Sequence, residues 1–238
     1  MASRKAVAIV QSNYIPWKGY FDLIHSVDEF VLFDDMQYTR RDWRNRNKIK
    51  TPAGTTWLTI PVSSKGKYLQ TISATAVSDP GWAAAHWKTI SNFYARAPYF
   101  THYSALFEEL YLGCKQSSLS EINHRFLVAI CSILGIPTRI SRSSDYHLVE
   151  GKTERLVAIC QQAGAGRYIS GPAGRPYIDP RLFAEADIEL VFFDYAGYPE
   201  YRQLYPPFRH DVSVIDLILN AGQDAPLYMK SFSCICRS

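Results

Sequence analysis

The segment 6–34 restricts the fold of this chain more than any other part of its sequence. It contains two short, continuous apolar runs, AVAIVQ (6–11) and EFVLFD (29–34), and both are typical of fully buried strands. Between them, a loop with Pro16 and Gly19 leads into an amphipathic helical pattern. A strand–helix–strand unit of this length makes its two strands parallel, and parallel sheets bind ligands at the carboxyl ends of their strands.

The rest of the chain extends this α/β pattern. The sequence predicts a β-hairpin between 57–62 and 68–77, helices near 81–97, 101–113, 118–134 and 152–163, a strand from 167, a short helix after Asp179, a strand at 188–195 and a helix at 212–219. No linker marks a domain boundary. We therefore expect one domain, 1–238, with a central, mostly parallel sheet, a β-hairpin excursion and a helical subdomain at 78–134.

Size and composition exclude several classes of protein. A chain of 238 residues with 47% hydrophobic residues buries a large core without disulfides or a structural metal. Its five cysteines are odd in number and include no C-x-x-C, which indicates reduced thiols, with Cys234 and Cys236 in a terminus expected to fray. Its apolar runs are far shorter than the roughly 20 residues of a membrane span. Since its basic start lacks a cleavage-like tail, we expect a cytoplasmic protein. No histidine is paired with another at the helical spacing of metal ligands, so no bound metal is expected.

The first segment with ligand-binding character is QSNYIPWKGY, at 11–20. The amides of Gln11 and Asn13 follow a predicted strand, and Tyr14 and Trp17 supply flat faces with polar edges. This combination favours a polar, planar or sugar-like ligand. The alternative is a strand-to-helix turn with its aromatic residues packed beneath it.

The second segment, 33–50, places a carboxylate pair before a basic stretch. Asp34 and Asp35 end the second predicted strand, and six of the residues from 40 to 50 are Arg or Lys. Arginines such as Arg44 and Arg46 bind phosphates and carboxylates with two parallel hydrogen bonds. The alternatives are a solvated basic loop, carboxylates that only cap a turn or pair with arginine, and nucleic-acid binding. We regard nucleic acid as an unlikely partner because the net charge of the chain is only +4.

These two segments, together with WLTIPV (57–62), resemble the WbqC-like protein family. Further similar stretches are W-x-x-x-H-W-K-T-I at 82–90, GIPT at 135–138, YISG at 168–171 and SVIDLILNAG at 213–222. The resemblance places the chain in bacterial surface-polysaccharide biosynthesis, including O-antigen synthesis. It implies a transferase that attaches an amino acid or another acyl group to a nucleotide-linked amino sugar.

The implied reaction assigns roles to particular residues. N-acyl transfer requires a deprotonated amine, an activated carbonyl and hydrogen-bond donors for the oxyanion. We predict Asp35, His86 and Asn45 as catalytic residues. The predicted substrate-binding residues are Gln11, Asn13, Tyr14, Trp17, Gln37, Arg44 and Arg46. The alternative for His86 is a histidine at the edge of the core.

No bound cofactor is expected; an acyl thioester or an aminoacyl donor serves as co-substrate. The expected partners are a nucleotide-linked amino sugar and an acyl- or peptidyl-carrier protein. Two other functions remain open: a non-catalytic partner of a carrier protein or glycan enzyme, and a hydrolase of an acyl or glycosyl bond. In a transferase, the segments 11–20 and 36–50 should face each other across a cavity of several hundred Å3. A partner-only module would leave the arginine-rich loop on a flat surface.

Overall fold

The computed structural model describes residues 4–233, and at its centre lies a five-stranded sheet in which every pairing is parallel. The strands are β1 (Ala6–Val10), β2 (Glu29–Leu32), β3 (Arg46–Thr51), β4 (Gly54–Thr59), β5 (Arg139–Arg142), β6 (Arg167–Ser170) and β7 (Glu189–Phe192). The central sheet has the order β5–β2–β1–β6–β7, and β3 and β4 form a separate antiparallel pair. The predicted α/β fold is therefore confirmed.

Helices cover both faces of the central sheet. They are α1 (Lys18–His25), α2 (Trp82–Tyr94), α3 (Phe100–Leu112), α4 (Leu119–Leu134), α5 (Lys152–Gln162), α6 (Pro180–Glu185), α7 (Val214–Ala221) and α8 (Lys230–Ser233). Ala8 of β1 packs into the apolar cluster that contains α1, α2, α3, α4 and α7. Val7 and Ile9 point the other way, into a smaller cluster with α5 and α6. Burial on both faces explains why these strands are continuous apolar runs in the sequence.

The predicted position of the β-hairpin was wrong. The hairpin is β3–β4, with Arg46 opposite Thr59, whereas residues 68–77 form only isolated bridges. In the first four residues of β3, Asn47 and Ile49 are buried while Arg46 and Lys48 are half-buried, an alternation expected for a sheet with one packed face. Its high charge concealed this alternation.

The segment 78–134 contributes to the same core as the sheet. Ile90, Phe107 and Phe126, from α2, α3 and α4, are fully buried in the cluster that also holds Ala8 and Phe30 of the sheet. Gly135 ends α4 in the left-handed conformation, with φ of 68°. Cys234 and Cys236 lie outside the described residues.

The strand order fixes where a ligand site is expected. The chain moves from β1 to β2 on one side and later places β6 on the other side of β1. The direction of winding therefore reverses between β1 and β6. In open parallel sheets, a crevice forms at the carboxyl ends of the two strands that flank such a reversal.

Candidate functional site

A cavity of about 670 Å3 lies at the point where the strand order reverses. Its walls come from the carboxyl ends of β1, β2 and β6, from the first turns of α5 and from the loop after β6. It is lined by Ile9, Val10, Gln11, Leu23, Phe33, Met36, Arg44, Gly151, Lys152, Arg155, Leu156, Tyr168, Ser170, Gly171, Ala173, Gly174, Tyr177 and Tyr195. We call this space the sheet cavity.

The charged residues of the sheet cavity are all cationic. Arg44, Lys152 and Arg155 line it, and its described lining includes no carboxylate and no histidine. Lys152 is the first residue of α5, so the unpaired N–H groups of that helix start at the cavity wall. Arg155 is held in place because its Nε donates to the carbonyl of Val149 at 3.0 Å. This charge distribution suits an anionic ligand.

Arg44 brings the two predicted segments together. Its guanidinium donates to Oδ1 of Asn13 and lies 3.5 Å from the carbonyl oxygen of Gln11. Its own carbonyl accepts from Nδ2 of Asn123 at 2.9 Å. The turn at 11–17 and the arginine-rich segment therefore contact each other beside the sheet cavity.

Asp34 connects the turn at 11–17 to helix α4 through hydrogen bonds. It is buried, and its two oxygens accept from the backbone N–H of Ser12 at 2.8 Å and from the hydroxyl of Ser120 at 2.5 Å. Asn123 donates to the hydroxyl of Ser12 at 2.9 Å. Sequence reasoning missed Ser120 and Asn123, although polar residues on the apolar face of a predicted helix indicate a buried polar contact.

Asp35 does not line the sheet cavity, although Met36, the next residue in the chain, and Phe33, two residues before it, both do. The Asp35 side chain is half-buried and accepts a hydrogen bond from the hydroxyl of Ser143. Its catalytic role remains a prediction.

Tyr14 and His86 meet in the core and do not line the sheet cavity. The Tyr14 hydroxyl lies 2.9 Å from Nδ1 of His86 and 2.9 Å from the hydroxyl of Tyr111. Burial lowers the pKa of His86 to about 4, so the imidazole is neutral at pH 7. The carbonyl of Thr59, 3.2 Å from Nε2, can only accept, which places the single proton on Nε2 and leaves Nδ1 unprotonated beside the Tyr14 hydroxyl.

Three other predicted site residues lie outside the sheet cavity. Asn45 is buried and donates to the carbonyl of Ile60 at 2.8 Å. Gln37 is exposed and donates to the carbonyl of Tyr68 at 2.6 Å. The guanidinium of Arg46 lies 4.1 Å from the ring centre of Trp57.

A second, smaller cavity of about 290 Å3 lies on the hairpin side of the same turn. It is lined by Asn13, Pro16, Trp17, Trp43, Asn47, His210 and Asp211. We call it the hairpin cavity. Of the predicted substrate-binding residues, Gln11 and Arg44 thus line one cavity, and Asn13 and Trp17 line the other.

The turn between the two cavities has a strained backbone. Ile15 has a φ of 38°, which is rare for a β-branched residue. Asn47 compensates by donating to the carbonyls of Tyr14 and Ile15 at 3.2 and 3.0 Å. Further along, the indole of Trp17 lies so close to Gly19 that an added Cβ would overlap it. Asn47 therefore stabilises the shape of the turn, and Gly19 leaves room for the Trp17 indole.

Sequence reasoning also missed the residues that supply the charge and part of the walls. Lys152 and Arg155 lie more than a hundred residues from Arg44, and only the strand order brings α5 beside β1. Ser170 ends β6 within the YISG stretch, lines the sheet cavity, and donates its hydroxyl proton to the carbonyl of Gly171 at 3.1 Å. Within residues 4–233, no group of three or more His, Cys, Asp or Glu side chains is placed to hold a metal ion.

None of the helices in the described part of the chain has the length and apolar character needed to cross a membrane. No solved structure matches the chain.

Two comparisons with known proteins agree with the motifs. The chain is 51% identical over 226 residues, 95% of its own length and 98% of the relative's, to a Mycobacterium tuberculosis (strain ATCC 25618 / H37Rv) protein described as "Uncharacterized protein Rv1507c". The model of the WbqC-like protein family matches residues 11–228. That match covers the turn, the arginine-rich segment and every residue that lines the two cavities except Ile9 and Val10, so the chain belongs to the WbqC-like protein family.

Proposed function

We propose that this protein transfers an acyl or aminoacyl group to the amine of a nucleotide-linked amino sugar in bacterial surface-glycan biosynthesis. The observation that carries the proposal is the sheet cavity, with three cations and no carboxylate in its described lining. A nucleoside diphosphate sugar has two negative charges at its centre and uncharged rings at its ends. A cavity with clustered cations and mixed apolar and polar walls is suited to such a ligand.

The cations have distinct tasks in this proposal. Arg44 and Arg155 bind the diphosphate through their planar guanidinium groups, and Lys152 adds a point charge at the start of α5. Tyr177 and Tyr195 line the same space and offer ring faces to the nucleobase. This arrangement positions the sugar relative to the turn at 11–17.

The transfer itself is a nucleophilic substitution at a carbonyl carbon. The neutral amine of the sugar attacks the acyl carbon of a thioester or aminoacyl donor and an N–C bond forms. The bond from that carbon to sulfur or oxygen breaks, and the leaving group departs with the electron pair. Asp35, the half-buried carboxylate that precedes Met36 of the cavity wall, accepts the proton lost by the amine.

The non-catalytic alternative is favoured by a different surface. Arg40, Lys65 and Lys67 are exposed, and beside them Tyr68 and Leu69 are 71% and 86% exposed. A basic rim around exposed apolar side chains suits an acidic carrier protein. In the transferase this surface would receive the loaded carrier; in a partner-only protein it would be the whole function.

Binding of a panel of nucleoside diphosphate amino sugars, measured by calorimetry, tests the first step. We expect the double variant Lys152→Gln/Arg155→Gln to weaken binding at least about tenfold, since each lost charged hydrogen bond contributes about 1.5–3 kcal/mol. Arg181→Gln is the matched control, because Arg181 is exposed on α6 and pairs with Asp179. No binding by the wild-type protein, or equal binding by the double variant, would contradict the proposal.

Mass spectrometry of the sugar nucleotide after incubation with an acyl-loaded carrier protein tests the second step. The transferase predicts an acylated product whose rate falls at least tenfold in Asp35→Asn while sugar-nucleotide binding is unchanged. Carrier binding without any product would instead support the partner-only function.

A further inference from the structure

The hairpin cavity has walls of a different chemistry from those of the sheet cavity. Two indoles and a proline ring, from Trp17, Trp43 and Pro16, give it flat apolar faces. Trp43 is 39% exposed, so its ring is open to a ligand. Flat aromatic faces bind the C–H surfaces of sugar rings as well as planar bases, while polar edges select hydroxyl and amide groups.

The polar groups of the hairpin cavity are few and fixed. Oδ1 of Asn13 accepts a hydrogen bond from Arg44, and no described residue accepts from its Nδ2. His210 is exposed at the rim, where partial burial lowers the pKa of its imidazole, which therefore stays neutral at pH 7. Asp211 is already paired, since it accepts from Lys48 at 2.7 Å and from Arg209 at 2.8 Å. The cavity thus offers neutral hydrogen-bonding groups and no unpaired charge, which suits an uncharged polar ring.

Two contacts join the hairpin cavity to the sheet cavity. Arg44 lines the sheet cavity and donates to Asn13, which lines the hairpin cavity. Trp17 lines the hairpin cavity, and its ring centre lies 5.4 Å from that of Tyr195, which lines the sheet cavity. The Arg44 guanidinium therefore lies between the two cavities. In a sugar nucleotide, the diphosphate lies likewise between the nucleoside and the sugar.

We infer that the hairpin cavity is the subsite for the pyranose ring of the acceptor, stacked on Trp43 and Trp17, with Arg44 on the diphosphate between the two cavities. The position of the diphosphate in this assignment rests on the proposed function. The pyranose subsite itself is a property of the hairpin cavity and is testable without a nucleotide.

The first experiment uses methyl glucosaminide and saturation-transfer NMR on the full-length protein. The wild-type protein should transfer saturation to the pyranose ring protons, and Trp43→Ala should reduce this transfer about tenfold. Trp57→Ala is the matched control: Trp57 is equally exposed, at 41%, its ring centre lies 5.4 Å from that of Trp43, and it does not line the cavity. Trp43→Phe should restore most of the transfer. No transfer in the wild-type protein, or transfer that survives Trp43→Ala, would overturn the inference.

The second experiment separates this inference from the proposed function. UDP and UDP-glucosamine are titrated into the wild-type protein, Trp43→Ala and Lys152→Gln/Arg155→Gln. We expect Trp43→Ala to remove the affinity that the sugar adds to UDP, whereas the double variant weakens both ligands. Glucosaminide contact at Trp43 without any nucleotide binding would support the subsite and reject the proposed function. Nucleotide binding in which uridine contacts Trp43 more strongly than the glycoside would reject the subsite and leave the proposed function standing.

Discussion

The two sides of the turn at 11–17 are held in place by different kinds of interaction. On the sheet side, a buried carboxylate, Asp34, collects hydrogen bonds from the turn and from α4. On the hairpin side, Tyr14 and His86 pack among aromatic rings and share one hydrogen bond. The first side is fixed mainly by buried hydrogen bonds, whereas the second is fixed mainly by the packing of aromatic rings.

This difference predicts how each side responds to substitution. A buried polar network loses stability steeply when one member is removed, because its partners stay buried without hydrogen bonds. An aromatic cluster loses stability through overlap or through charge placed in an apolar environment. Substitutions on the two sides of the turn therefore distinguish the two behaviours.

Asp34→Ala should have the largest effect. It leaves the N–H of Ser12 and the hydroxyl of Ser120 buried without acceptors, so we expect a loss of about 3–4 kcal/mol in the free energy of unfolding, measured with urea. Asp35→Ala is the matched control, since Asp35 is only half-buried, and should change stability by less than about 1 kcal/mol. Equal losses in the two variants would show that the buried network does not fix the sheet side.

Acid should destabilise the hairpin side through His86. Its pKa is lowered to about 4 in the folded protein from an ordinary value of 6.5, because burial disfavours the imidazolium. Between these two pKa values, the unfolded chain binds more protons than the folded one, so stability falls as the pH drops from 6.5 to 4. The loss amounts to about 3 kcal/mol at pH 4.

Urea unfolding at a series of pH values measures this loss as the difference between wild type and His86→Gln. The variant should lack this part of the acid sensitivity, and the contributions of the other histidines cancel in the difference. Identical pH profiles would place His86 in a more hydrated position. A transfer rate that depends on a group with a pKa near 4 and vanishes in His86→Gln would favour the predicted general base over a core histidine.

The sheet side was predictable from the sequence because it follows from local patterns. The runs at 6–11 and 29–34 gave the central parallel strands, and parallel strands place a site at their carboxyl ends. Gln11 and Arg44 do line the cavity there. Lys152 and Arg155 were not predictable, because no local pattern indicates that β6 and α5 pack beside β1.

The hairpin side was less predictable for two physical reasons. Strand β3 carries Arg46 and Lys48 in half-buried positions and Lys50 in a buried one, and a basic, polar segment resembles a loop when only its composition is considered. The environment of His86 depends on the packing of α2 against Tyr14, 72 residues away in the chain. A histidine on an aromatic helix face is compatible with both a buried and an open position.

Adding one methyl group on each side of the turn should give opposite outcomes. In Gly19→Ala the new Cβ overlaps the indole of Trp17, so we expect a loss of about 2 kcal/mol and a shift in tryptophan fluorescence. In Gly171→Ala, on the sheet side, the nearest atom is the Tyr195 hydroxyl oxygen at 3.8 Å, an ordinary contact, and stability should change by less than about 0.5 kcal/mol. A tolerated Gly19→Ala would mean that Trp17 is free to move.

Lys18, at the start of α1, contacts the segment between β7 and α7, which carries several tyrosines and His210. It is 3% exposed, its Nζ donates to the carbonyl of Pro199 at 2.6 Å, and it lies 5.2–5.3 Å from the ring centres of Tyr198 and Tyr201. Burial lowers the pKa of its ammonium to about 8 from an ordinary value of 10.5. Between these values the unfolded chain binds more protons, so the contribution of Lys18 to stability becomes more favourable as the pH rises above about 8.

Between pH 8 and 9.5 this contribution should increase by about 1–2 kcal/mol relative to Lys18→Met, which has no proton to lose. Urea unfolding of both proteins at matched pH values measures it, and the other groups that titrate in this range cancel in the comparison. If the difference stays constant with pH, then water reaches the Lys18 ammonium and the rings of the loop do not enclose it. The hairpin side would then be held by the strained turn and Asn47, without an ammonium locked among aromatic rings.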